Sequence, residues 1–259
     1  MNLLMIKALK GGSMDRISLK LESKRLLSGH FPFFVLLFLP VIILQFGYSL
    51  ASSMMDPQSP TFMRDYTQLL EGEFNPNTEN LMMLLIILTG LTLIISLLTV
   101  GMRFASIDLI RNQAKFEAPV TKSFTILNDG TYFISTIIMG IITTVLTLLW
   151  SMLFIVPGII KSFSYVQAIN IYRDALDEGK PIGYFEAITK SRQMMAGHKM
   201  DYFVLALSFI GWYILEGLSF GILSFWVEPY AQLAFANFYV KLADHAEPDD
   251  LMNIFDNKS

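Results

Sequence analysis

Long stretches without Asp, Glu, Lys or Arg alternate with shorter charged stretches along the chain. Residues 31–55 and 80–102 are free of charge, residues 130–172 contain one charged residue, and residues 202–240 contain two. A helix needs about 20 residues to cross the hydrocarbon core of a bilayer. The first two stretches therefore predict one membrane-spanning helix each, and the two longer stretches predict two helices each.

The two longer stretches contain residues that favour a turn. Pro157 and Gly158 lie inside 130–172, and Pro229 closes the segment 226–229 inside 202–240. Proline and glycine interrupt helices, so we expect three helical hairpins. The alternative, that each long stretch forms one tilted or kinked helix, places its flanking basic segments on opposite sides of the membrane. The predicted spans are about 31–51, 81–102, 131–154, 158–175, 202–224 and 228–243.

The distribution of basic residues predicts the orientation of these spans. With both termini inside, 17 of the 19 Lys and Arg residues fall on the cytoplasmic side, and Arg64 and Lys161 are the exceptions. Lys and Arg accumulate in the cytoplasmic segments of membrane proteins. Residues 52–80 carry five acidic residues and are therefore predicted to form an outside loop. Residues 1–29 become a cytoplasmic N-terminal segment, and residues 244–259 become an acidic cytoplasmic tail.

The first apolar run could also be part of a cleaved signal peptide, with Ser49–Ala51 as a loose cleavage site. This run is longer than a signal peptide requires and begins about 30 residues into the chain, which favours an uncleaved helix. Lys10-Gly11-Gly12 can be encoded by a strong ribosome-binding sequence. That possibility favours Met14 as the natural start, ahead of Met1.

Composition agrees with a membrane environment and narrows the chemistry. Hydrophobic residues make up 53% of the chain, charged residues 16%, and the mean hydropathy is +0.50. The net charge of −3 gives no support for nucleic-acid binding, and the absence of cysteine excludes disulfides and thiolate sites. His30, His198 and His245 do not have metal-ligand spacing. Because known catalytic motifs are absent too, we predict a non-enzymatic protein without cofactor, metal or catalytic residues.

Three short segments that precede the odd-numbered spans resemble one another. Residues 23–30 match residues 191–198 without a gap, and residues 123–130 match with one extra residue. Each segment predicts a short amphipathic helix in the cytoplasmic interface, with apolar residues in the acyl boundary and basic residues at lipid phosphates. We therefore predict an internal threefold repeat that binds anionic headgroups. The candidate lipid-contacting residues are Lys24, Arg25, Lys122, Lys190 and Arg192.

Lys161, Glu216 and Glu228 are the charged residues inside the second and third hairpins. Charged residues inside a membrane usually face protein or water, so we expect them to form an intramembrane polar site. We predict that Lys161 pairs with Glu216, with Glu228 as the second choice. The alternative is that Lys161 and Glu228 only extend towards the outer headgroups.

Several motifs resemble one known family. They are Ile155–Tyr165, Glu186–Ile188 together with Lys190–Arg192, Gly197–Lys199 and Leu207–Trp212. These residues are similar to the Gram-positive multi-pass membrane family catalogued as domain of unknown function 975, over about residues 16–245. A remoter similarity is to the membrane domain fused to some bacterial glycerophosphodiesterases. The resemblance implies six helices in the plasma membrane of a Firmicute, and it brings no catalytic residues.

The chain is therefore predicted to be an all-α integral membrane protein, a bundle of six spans in three hairpins. Its predicted role is that of an accessory or interaction protein of the bacterial envelope, which engages membrane lipids and a membrane protein or peptide partner. The alternative is a small-molecule or peptide transporter or resistance protein. In that case four amide side chains are candidates to line a path: Gln167, Asn170, Gln232 and Asn237.

Overall fold

The computed structural model describes residues 15–53 and 55–245, and this part of the chain is helical without a β-strand. Met14 and residues 246–259 of the acidic tail lie outside the described residues. The first six helices are α1 (Arg16–Gly29), α2 (Phe31–Ser53), α3 (Pro60–Leu70), α4 (Pro76–Ile110), α5 (Pro119–Ser123) and α6 (Thr125–Asn128). The next six are α7 (Gly130–Leu153), α8 (Ile155–Tyr165), α9 (Ala168–Asp177), α10 (Tyr184–Met194), α11 (Lys199–Leu218) and α12 (Ser224–His245).

Short polar residues determine where several helices begin. The side chain of Asp15 accepts a hydrogen bond from the backbone amide of Ile17, and Asp129 does the same for Thr131. Asn75 forms a capping box at the start of α4, where Pro76 occupies the first helical position. Such caps satisfy amides that lack a partner inside the helix. They fix the first residue of α1, α4 and α7.

Four of the described helices, α2, α4, α7 and α11, are long and apolar enough to cross a membrane. Their outward side chains are largely apolar and exposed, as at Ile86, Ile134, Ile141 and Ile214. In water such surfaces are unfavourable, whereas lipid is a suitable solvent for them. The helices thus have the character of a membrane protein.

We use first, second and third hairpin as names for the predicted units, which correspond to α2 with α4, α7 with α8 and α9, and α11 with α12. The turn inside the second unit differs from the prediction. Phe154 has an extended backbone and separates α7 from α8, so Pro157 lies in the first turn of α8. A proline is tolerated there because the first helical amides need no partner within the helix. A Cβ atom at Gly158 would lie 2.0 Å from Ser151 Oγ, so the two helices are in close contact beyond the turn. The predicted helix 158–175 is divided between α8 and α9.

The turn of the third hairpin also lies earlier than predicted. Residues 219–223 connect α11 to α12, and the predicted turn at 226–229 falls inside α12. Gly221 has φ +81°, which is a conformation that glycine adopts without strain. A Cβ atom at this position would approach the ring of Phe46 to 2.8 Å. Gly221 therefore sets the turn, and Pro229 is accommodated within the helix.

The apolar core is distributed unevenly among the hairpins. The main core is formed by α1, α2, α4, α11 and α12, and its large side chains are fully buried. They include Phe34, Phe38, Met102, Phe209 and Phe238. The second hairpin has a smaller cluster of its own with α10, composed of Met139, Tyr165, Ala168, Tyr172, Ala187 and Ile188.

The short helices pack in a regular order. Helix α5 contacts the first hairpin (α2 and α4), α10 contacts the second (α8 and α9), and α1 contacts α12 of the third. The serine that opens each matching segment is buried. Ser123 Oγ donates to the carbonyl of Leu37 at 2.5 Å, and Ser191 Oγ donates to that of Ser164 at 2.8 Å. Ser23 bonds within its own helix.

The inner faces of these short helices correct one expectation. Leu27 and Met195 were expected to enter the acyl boundary, yet both are fully buried in the main core. Each lies one helical turn after a buried serine, Ser23 or Ser191, and therefore on the same face. These buried positions are directed at the protein, whereas Ile17 and Leu21 on α1 are exposed.

Candidate functional site

Charged side chains are concentrated where α4, α9 and α12 meet. We call this group the junction network, and it comprises Asp108, Arg111, Arg173, Asp174, Asp177 and Tyr239. The Arg173 guanidinium donates to Asp108 at 2.5 Å and to the carbonyl of Phe104 at 3.1 Å. It also lies 3.1 Å from the carboxylate of Asp177, one turn later on α9. Arg173 thus links the end of the first hairpin to the second.

A second arginine joins all three hairpins. Arg111 donates two parallel hydrogen bonds to Asp174, at 3.0 and 2.8 Å, and the Tyr239 hydroxyl donates to the same carboxylate at 2.7 Å. Burial alone would lower the pKa of the Arg111 guanidinium, but its bonds to Asp174 raise that pKa above its ordinary value. The bidentate geometry is the strongest form of ion pair between side chains.

The helix lengths explain why these charges meet. Helix α4 has 35 residues, which at 1.5 Å per residue is longer than the hydrocarbon core. Its final turns extend beyond the apolar stretch and carry Asp108, while Arg111 caps the end. Helix α9 is amphipathic and presents Arg173 and Asp174 to these turns, while Asp177 binds Arg173 from the same helix.

A cavity of about 620 Å³ opens beside the junction network. Its polar lining includes Arg111, Asp174, Tyr239, Glu178 and Lys190. The first three of these groups already bind one another. The site is therefore a contact between hairpins in which opposite charges neutralise one another. Glu178 and Lys190 add one charge of each sign to the cavity lining.

The histidines and acidic residues do not form a metal centre in the described ranges, where no group of three or more potential ligands occurs. His30 stacks on Phe116 with ring centroids 3.7 Å apart. His198 Nδ1 lies 3.3 Å from the carboxylate of Asp201 at the start of α11.

The predicted intramembrane polar site is only partly assembled. Glu228 lies near Gln45 and near Glu216, whose charge is close enough to repel its own. One carboxylate oxygen of Glu216 is buried without a hydrogen-bond partner among the described residues. Lys161 belongs to a different environment, since its ammonium lies 4.4 Å from the ring centroid of Trp150.

The predicted ion pair between Lys161 and Glu216 is not formed in the described structure. Because the hairpin turns at Phe154, Lys161 lies about two helical turns into α8 and faces Trp150 on α7. Its electrostatic neighbours are the basic residues Arg192 and Lys199. Lys161 therefore lies apart from the two glutamates.

The five candidate lipid-contacting residues have different environments. Lys24, Arg25 and Arg192 are exposed, whereas Lys122 is half-buried. Lys190 Nζ lies 3.3 Å from the carboxylate of Glu186 and lines the cavity beside the junction network.

The amides considered for a transport path bind neighbouring protein groups. Asn170 donates to Gln167 at 2.9 Å, and Arg103 donates to Gln232 at 3.4 Å. Asn237 donates to the Glu22 carboxylate at 3.1 Å. The first contact is local to the start of α9, and the other two join α4 and α1 to α12.

The sequence interpretation missed the junction network. Arg111 and Arg173 were counted only among the basic residues that predict the orientation, and Asp108 and Asp174 were given no role. The signal was the recurrence of arginine and aspartate after the second predicted span and at the end of the fourth, together with the four-residue spacing of Arg173 and Asp177.

The fold and its charged junction define an all-helical protein with the character of a multi-helix membrane protein. The model of one family, described as a protein of unknown function (DUF975), matches residues 14–178 and 157–246. The chain belongs to this family, in agreement with the resemblance of its motifs. No curated protein and no solved structure gives a significant match.

Proposed function

We propose that this protein is a six-span integral protein of the bacterial plasma membrane with both termini in the cytoplasm. In this arrangement α8 with α9, and α12, complete the second and third hairpins. The 17 basic residues on one side support the orientation. Helices α5 and α10 each pack on the hairpin that precedes them in the chain, and α1 packs on the last hairpin. This shared arrangement supports three repeated units.

We infer a non-enzymatic role as an accessory or interaction protein that engages lipid or a membrane partner. We call α1, α5 and α10 the lead-in helices. The observation that carries this proposal is the division of each lead-in helix into two faces. The inner face buries a serine, and the outer face of α1 and α10 exposes Lys24, Arg25 and Arg192. Basic groups beside apolar helices attract anionic headgroups, at about 1 kcal/mol per residue.

Lipid retention tests this role. Replacing the five candidate residues with Gln should leave the fold intact and lower the amount of anionic phospholipid that co-purifies. The matched control is Lys115→Gln with Lys180→Gln, because both lysines are exposed outside the lead-in helices. Equal phospholipid content in the five-residue variant and the wild type contradicts the proposal.

The orientation has a separate test. Single cysteines at Gln68 and Lys180 should differ in their reaction with an impermeant thiol reagent on intact cells. We expect labelling at position 68 and none at position 180. Labelling at position 180 contradicts the six-span arrangement, whatever the lipid experiment gives.

A further inference from the structure

The segment between α2 and α4 carries an exposed apolar stripe, defined as Met63, Tyr66, Leu70 and Phe74. The first three follow helical spacing on one side of α3, and Phe74 follows the turn at Gly72. All four are exposed, with Leu70 at 71% and Phe74 at 67%. Four neighbouring apolar side chains on one polar segment are typical of a contact surface.

The rest of α3 attaches the stripe to the bundle. Helix α3 packs along α4, and Phe62 and Leu69 are its half-buried apolar residues. Gln68 accepts a hydrogen bond from Asn75, the cap of α4, at 3.3 Å. The stripe is therefore presented on an ordered helix, while different residues make the internal contacts.

The charges around the stripe have one dominant sign. Residues 52–80 hold five carboxylates, and their single basic residue, Arg64, is bound to Asp65 at 2.9 Å. The remaining carboxylates are exposed: Asp56, Glu71, Glu73 and Glu79. The surface thus combines an apolar stripe with a negative rim.

Two kinds of surface could cover an amphipathic helix of this type. An anionic lipid surface attracts basic residues, and the same field repels the four free carboxylates. A cationic amphipathic helix matches both properties, since its apolar face fits the stripe and its basic residues meet the acidic rim. Charge complementarity therefore favours the peptide.

We propose that α3 and its flanks form a docking surface for a cationic amphipathic peptide segment. This proposal names a partner for the interaction role proposed above. The only part of the proposed function on which it rests is that residues 52–80 face outside. The stripe supplies the apolar contact area. The carboxylates supply steering and selectivity for positive charge, which depend on ionic strength.

Peptide binding to the full-length protein in nanodiscs of zwitterionic phospholipid tests the proposal. The probe is a fluorescent amphipathic helix of about five turns built from Leu and Lys. The same peptide with Glu in place of Lys tests the charge requirement, and empty nanodiscs measure binding to lipid. We expect the Lys peptide to bind protein-containing discs at least about tenfold more tightly than empty discs.

Two variants separate the apolar and the charged contributions. Met63→Ser, Leu70→Ser and Phe74→Ser together should weaken binding about tenfold, because exposed apolar anchors are lost. Glu71→Gln with Glu73→Gln should weaken it about threefold and reduce its salt dependence. Glu117→Gln removes an exposed charge elsewhere and should leave binding unchanged.

Equal binding of the Lys peptide to empty and protein-containing discs overturns the proposal. So does equal affinity for the Lys and Glu peptides, which indicates a purely apolar, lipid-like surface. Both faces of a nanodisc are accessible, so peptide binding does not depend on orientation. A wrong topology would therefore appear only in the labelling at positions 68 and 180, and a wrong docking surface only in the peptide titration.

Discussion

The two halves of this bundle are held together by different forces. The first and third hairpins share, with α1, a core of large apolar and aromatic side chains such as Phe38, Phe209 and Phe238. The second hairpin has only a small cluster and exposes much of α7. Its connection to the other hairpins includes the junction network, with Arg173 on Asp108 and Arg111 on Asp174.

This difference follows from the forces that can drive helix association in lipid. Acyl chains are as apolar as Leu or Phe, so helices associate through close packing and through polar contacts. The main core uses packing over a large area. The second hairpin, with less area in contact, depends more on the ion pairs of the junction network. Substitutions in the two regions should therefore differ in kind.

The largest expected effect is in the main core. Phe238→Ala removes a fully buried ring whose centroid lies 5.3 Å from that of Tyr202, and should cost about 4 kcal/mol of unfolding free energy. The measurement is unfolding in mixed detergent micelles. Ile134→Ala on the exposed face of α7 is the control and should cost under about 1 kcal/mol. Similar losses for both would remove the distinction between the two halves.

The second-largest expected loss of unfolding free energy is in the junction network. Arg173→Met leaves Asp108 and Asp177 without their cation in a partly buried place, and should cost about 3 kcal/mol. The same unfolding assay measures it. Arg64→Met breaks an exposed pair with Asp65 and should cost under about 1 kcal/mol. If both substitutions lower the unfolding free energy by the same small amount, ion pairs do not hold the second hairpin in place.

The contact between α7 and α8 should respond to one methyl group. Gly158→Ala places its Cβ 2.0 Å from Ser151 Oγ and should destabilise by about 2 kcal/mol through overpacking. Gly140→Ala, on α7, meets no atom within 4 Å and should stabilise by about 0.5 kcal/mol through helix propensity. Thermal unfolding of the two variants should move in opposite directions. Movement in the same direction argues against the tight turn at Phe154.

The smallest effect concerns the attachment of α1. Burial alone raises the pKa of the Glu22 carboxyl, but hydrogen bonds from Lys241 and Asn237 lower it below its ordinary value. The folded state therefore binds fewer protons, and this contribution to stability is lost as the pH falls through the lowered pKa. Amide exchange in α1 should quicken on acidification in the wild type. Glu22→Gln should exchange faster at neutral pH and respond less to acid; an unchanged acid response contradicts the role of Glu22.

Hydrophobic runs predicted the all-helical class well, because helix length and the absence of charge are local properties. The turns were less accurate, since Pro157 and Pro229 were interpreted as breaks. The chain instead accepts Pro157 in the first turn of α8 and breaks at Phe154, whose extended backbone has no sequence signature. Gly221 was the informative residue for the third hairpin.

The sites were harder to predict than the helices for a reason of distance along the chain. Arg111 and Asp174 are 63 residues apart, and only the packing of α4 against the second hairpin brings them together. The sequence interpretation paired Lys161 with Glu216 only because both were placed at a similar depth in the membrane. Depth fixes the position along the membrane normal but not the direction in which a side chain points, and Lys161 points to Trp150.

The turn at Phe154 also bears on how this protein enters a membrane. Residues 152–156 are Met, Leu, Phe, Ile and Val, and all are exposed. A hairpin with such an end carries no charged loop across the bilayer, so α7 and α8 can insert together as one preformed unit. In the proposed six-span arrangement, residues 52–80 with their five carboxylates are instead translocated in full, so the main energetic barrier to insertion lies at the first hairpin.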